Sequence, residues 1–168
     1  MRRFKLFALL LALGCLGHDA GAAANKIVKV LPHFLDQEGR HTLSPSLYER
    51  DAYQAHLRKH KDLISALRFD VQWKAPAGDK TNLKMRVEIR GGKNLGAKPV
   101  VLEQPVKTGQ WFGNWAALTL PKETYEQLGG MVAWRVTLWN GDQPIAEQKL
   151  QMHVPNASQV ITVPRVSP

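Results

Sequence analysis

The chain has 168 residues, 44% of them hydrophobic, which suffices for one domain with a core of its own. Lys and Arg number 23 against 14 Asp and Glu, a formal net charge of +9. These charges are spread along the chain, with no basic run and no nucleic-acid motif, so the surplus argues for a solvated surface and against a nucleic-acid role.

Met1-Arg2-Arg3-Phe4-Lys5 is a short basic start, Leu6 through Leu16 is almost unbroken apolar sequence, and Gly17 through Ala24 is small-residue sequence ending in Ala20-Gly21-Ala22-Ala23-Ala24. That order reads as an export signal over residues 1–24, cleaved after Ala22 or Ala24. The apolar run is shorter than the roughly 20 residues that span a bilayer. A secreted or periplasmic protein is the expectation, with a charge near +7 once Arg2, Arg3, Lys5 and Asp19 leave with the signal. Cys15 is the only cysteine, so the mature chain has no disulfide framework, Cys nucleophile or Cys metal site. Ala12-Leu13-Gly14-Cys15 also resembles a lipoprotein lipobox, with Gly14 in place but Ala12 and Leu13 in reversed order. A lipid on Cys15 would anchor the protein to a membrane surface; without it no membrane association is expected.

Lys26–Phe34, rich in Ile and Val, reads as a strand. Ser46-Leu47-Tyr48-Glu49 has capping-box form and predicts a surface helix to about His60, with a narrow apolar stripe of Tyr48, Ala52 and Ala55. Leu67, Phe69, Val71 and Trp73 then alternate with Arg68, Asp70, Gln72 and Lys74, and Leu83, Met85, Val87 and Ile89 with Lys84, Arg86, Glu88 and Arg90. Such period-two alternation marks strands with one buried and one wet face. Pro76-Ala77-Gly78-Asp79 supplies the turn between them, and Gly91-Gly92-Lys93-Asn94 a break after the second. Val100–Val106 is a weaker strand that Pro105 demotes to an edge, and Ala116–Leu120 is brief. Pro121, Tyr125, Leu128 and Gly129 outline a short helix with a Gly stop. Val132, Trp134, Val136 and Leu138 share an inward face, with Thr137 among their wet partners; Asn140-Gly141-Asp142 turns the chain into a return strand from Ile145 to about Met152. That makes seven strands, with an eighth possible over Val160–Val163.

The stretch 115–153 resembles an immunoglobulin or fibronectin type III sandwich: a short helix ending in Gly, an aromatic residue opening the strand Trp134-Arg135-Val136-Thr137-Leu138, and a tight hairpin to the final strand. The immunoglobulin cysteine pair is absent, and Trp134 stands where Tyr is more usual. The expected fold is therefore all-β: an immunoglobulin/fibronectin-III-like antiparallel β-sandwich of about seven strands over residues 25–154, with one surface helix, a short helical turn, and an extended tail over 155–168. Such a superfold implies no activity.

No catalytic residue or cofactor can be assigned. There is no Gly-x-Ser-x-Gly elbow, and Arg90-Gly91-Gly92-Lys93 lacks phosphate-loop spacing. His56 and His60 share a helix face at metal-ligand spacing, with Asp51 or Asp62 as a third ligand, but Leu57 stands where a zinc protease carries Glu. His33 and His41 could join them only through a folded-back loop. The best candidate is Gly109-Gln110-Trp111-Phe112-Gly113-Asn114-Trp115, with Trp139 beside the later turn: indoles stack on sugar rings while Gln110 and Asn114 donate hydrogen bonds. Burial of those tryptophans is the competing reading. The expectation is an exported non-catalytic module with a binding or structural role, its partner a glycan or another exported protein. A carbohydrate-binding module using Trp111, Trp115 and Trp139 is the alternative, and a small metal-dependent enzyme at His56 and His60 the second.

Overall fold

The alternating segments form strands that pair in two sheets. The computed structural model describes residues 25–75, 82–93, 98–109 and 113–151. The leader with Cys15, the Pro76–Asp79 turn, Gln110, Trp111, the Val160–Val163 segment and the tail lie outside the described residues. The strands are β1 (Lys26–Leu35), β2 (Ala66–Lys74), β3 (Leu83–Gly91), β4 (Val100–Pro105), β5 (Asn114–Pro121), β6 (Met131–Asn140) and β7 (Gln143–Gln151). Helix α1 (Leu47–Lys59) and a 3-10 turn (Lys61–Leu63) join β1 to β2, and α2 (Lys122–Leu128) joins β5 to β6. One sheet has the order β1-β2-β5 and the other β4-β3-β6-β7, with every pair antiparallel.

Phe69, Val71 and Trp73 of β2, Met85, Val87 and Ile89 of β3, and Val136 and Leu138 of β6 are wholly buried in one hydrophobic cluster fed by both sheets. Phe69 and Trp134 meet edge-to-face across it, with ring centroids 6.4 Å apart. The two sheets therefore face each other. Asn140 pairs with Gln143, so Gly141 and Asp142 form a two-residue connection, with Gly141 at φ 58°. β7 begins at Gln143, two residues before the predicted Ile145. β4, with Pro105 at its end, is an edge strand as expected.

Two expectations need correction. Ser46 does cap α1, accepting from the Glu49 N–H, but the stripe was misplaced: Tyr48, Ala52 and Ala55 are exposed, while Gln54 and Leu57 are buried. The reason is that β1 is an edge. Gln54 Oε1 accepts from Phe34 N–H at 2.8 Å and its Nε2 donates to Phe34 C=O at 2.9 Å, so the amide completes the strand like a further strand residue. Thr137 points outward yet is buried, because Arg86 and Glu147 flank it in register with long side chains. The short helix α2 is as expected: Pro121 is its N-cap, next to its first residue, Leu128 is buried, and Gly129 ends it at φ 70°.

Candidate functional site: a groove beside an edge strand

β1 and β7, edges of different sheets, lie against each other. Beside them opens a groove of about 380 Å³ lined by Phe34, Ile64, Leu67, Tyr125, Met131 and Trp134. Alternation aims Phe34 and Trp134 inward; the 3-10 turn delivers Ile64, and α2 delivers Tyr125. Phe34 and Tyr125 touch edge-to-face at 5.3 Å. Trp134 is almost wholly buried, and its Nε1 is sealed from solvent without a hydrogen-bond partner. The part of the indole that lines the groove is therefore carbon.

The polar lining comes from Gln54, Arg58 and Lys61. Gln54 is occupied: besides its bonds to Phe34, its Nε2 donates to His41 C=O at 2.8 Å. Arg58 and Lys61 are exposed at the rim, and no carboxylate among the described residues pairs with either. Burial raises the Tyr125 phenol above its usual pKa, and the Arg58 charge works against that rise. Arg58 thus lies within electrostatic reach of the Tyr125 hydroxyl.

A polar network covers the outer face of β1 and β2. His33 Nε2 and Asp70 lie 2.7 Å apart, Arg68 donates to Asp70 at 2.9 Å, and Arg68 also reaches His41 Nδ1 at 3.2 Å. The rings of His33 and His41 stack at 4.6 Å. Burial would raise the pKa of Asp70, but the His33 hydrogen bond and the Arg68 charge outweigh it and hold the carboxyl below its usual value. Burial, with the charges of His33 and Arg68, lowers His41 and favours its neutral, accepting form. Nearby, Asp36 accepts from Tyr53 O–H at 2.6 Å, from the Glu38 and Arg40 N–H groups at 3.0 and 2.8 Å, and from Arg40 Nε at 2.9 Å. Against the upward push of burial, these donors bring Asp36 down to about 2. The two clusters fasten the β1–α1 connection to the sheet. An Asp–His pair is part of a hydrolytic triad, but among the described residues no hydroxyl nucleophile bonds either histidine.

The residues singled out by sequence do not converge. Asn114 and Trp115 open strand β5 rather than sitting in a loop. Asn114 is buried opposite Trp73, its Oδ1 without a partner, whereas Trp115 is 44% exposed on the outer face beside Gln72. Trp139 lies on the outer face of the other sheet, with the Arg86 guanidinium 5.8 Å from its ring centre. His56 and His60 are exposed with rings 4.3 Å apart, Asp51 is paired with Arg50, and no group of three metal-ligating side chains gathers among the described residues. Trp134 and Tyr125 pack in or against the core, as the sequence predicts, and line the groove as well, whereas nothing in the sequence marks Arg58 and Lys61. Two cations three positions apart at a helix end carry no signal until β1 and α2 close the other side of the groove. Compared with family models, with curated proteins and with solved structures, the chain matches none.

Proposed function

We propose that the protein is an exported, non-catalytic binding module on an immunoglobulin/fibronectin-III-like β-sandwich, and that the groove beside β1 is where it binds. The strand order supports the sandwich: the fifth strand returns beside the second and the sixth beside the third, as in immunoglobulin-type folds. The basic, apolar and small-residue sequence of 1–24 supports export. The groove carries the binding role. Its volume, about 380 Å³, falls in the range of about 300–1,000 Å³ typical of small-ligand sites, and its lining is mostly apolar with a few polar groups at the mouth. An uncharged solvatochromic dye titrated into the purified protein should bind with a blue-shifted emission. Met131→Trp, which fills the groove from its half-buried wall, should abolish binding and leave the circular dichroism unchanged. Absence of dye binding, or equal binding by the variant, would overturn the assignment.

The exposure of Trp115 favours a second reading, a glycan stacked on the outer face of the β1-β2-β5 sheet, where Gln72 and Asp70 stand on the same side. Retention on a polysaccharide matrix that is lost in Trp115→Ala would support it; retention unchanged by that substitution would exclude it.

A further inference from the structure

We infer that the groove takes an anionic amphiphile, its acidic head between Arg58 and Lys61 and one alkyl chain along Phe34, Met131 and Trp134. This rests on the groove being a binding site and adds the chemical class of its ligand. The division of the lining carries it. The walls present aromatic rings and aliphatic side chains, and the indole of Trp134 offers carbon because its Nε1 is sealed away. A sugar or a peptide backbone would find few polar partners on those walls, since the Gln54 amide is already engaged with β1 and with the loop. An apolar chain needs none.

The mouth has the opposite character. Both of its charged side chains are cations, one from the last turn of α1 and one from the 3-10 turn that follows. Among the described residues no acidic side chain lines the groove, and neither cation has a carboxylate partner. A cationic head would meet two like charges, and a neutral head would leave both without an ion partner. An anionic head gains charge-assisted hydrogen bonds from Arg58 and Lys61 beside an apolar wall, where such bonds are stronger than in open water. Arg58 and Tyr125 line the same groove, and the Arg58 charge works against the rise that burial gives the Tyr125 phenol.

The test uses three ligands with the same chain, dodecanoate, dodecanol and dodecylamine, each below its aggregation threshold and each displacing the uncharged dye from the purified protein. Dodecanoate should displace the dye at concentrations at least tenfold below dodecanol, a difference of about 1.4 kcal/mol, and dodecylamine should be weakest. Arg58→Gln combined with Lys61→Gln should erase that preference while leaving the thermal midpoint unchanged, since both side chains are exposed. Equal displacement by the acid and the alcohol would overturn the head-group assignment and leave the groove as a binding site. Displacement by none of the three would overturn the amphiphile. Failure of the dye itself to bind would overturn the reading of the groove on which this inference rests.

Discussion

Gln54 is where one side chain does most to hold the groove together. Its amide makes three hydrogen bonds, two to the edge of β1 at Phe34 and one to the loop at His41, and it is only 5% exposed. Gln54→Ala removes all three and strands one N–H and two C=O groups. At a net of about 0.5–1.5 kcal/mol per bond the expected loss is about 3 kcal/mol. For a domain of this size that corresponds to a fall of about 10 °C in Tm. Gln54→Glu separates hydrogen bonding from packing. It keeps the volume but sets a carboxylate against two carbonyl oxygens, so at neutral pH it should be at least as damaging as Gln54→Ala. Urea denaturation of both variants gives the magnitude, and amide exchange gives the location, with Phe34 N–H losing protection first. If Gln54→Glu stays within about 0.5 kcal/mol of the parent, and Phe34 N–H remains protected, the edge-capping role is refuted.

Other expectations follow from the same packing. Trp73→Ala should cost about 3–5 kcal/mol, the usual loss for deleting a buried aromatic, a large share of the about 5–15 kcal/mol that holds a typical domain; a loss under about 1 kcal/mol would place Trp73 outside the core. A Cβ at Gly91 would lie 2.2 Å from the Leu128 carbonyl oxygen, so Gly91→Ala should force β3 and α2 apart at a cost of about 1–3 kcal/mol. Gly92→Ala, whose nearest contact would be 3.4 Å, should be nearly silent, and equal urea midpoints for the two variants would contradict the close approach. Asp36, held near 2 against an ordinary 3.8, contributes stability that is fully present above about pH 4 and lost as pH falls through about 2. The gap in denaturation midpoint between the parent and Asp36→Asn should therefore close between pH 4 and pH 2, and a gap that does not change with pH would show that the carboxylate is not what matters there.

What the sequence disclosed depended on whether the information was local. The strands built on Leu67–Trp73, Leu83–Ile89 and Val132–Leu138 were legible because alternation is a property of neighbours along the chain. Gln54 was not, since its burial is decided by the unpaired edge of β1 twenty residues away, and a polar residue on a polar helix gives no hint of that edge. The burial of Thr137 is non-local in the same way: it is set by the length of its cross-strand neighbours rather than by its own polarity. His33 and Asp70, 37 positions apart, meet only because the register of β1 on β2 places both on the outer face. The groove was the least legible feature, because Arg58, Tyr125 and Trp134 come from three elements that share no motif.

The indole N–H resonances of the five tryptophans, followed by NMR as dodecanoate is added, test the groove most directly. Trp134 lines it, Trp73 is buried in the core away from it, and Trp115 and Trp139 lie on the two outer faces. A saturable shift at Trp134, with Trp73, Trp115 and Trp139 unmoved, is the predicted result. A shift at Trp115 with Trp134 unmoved would place binding on the outer face and contradict the account.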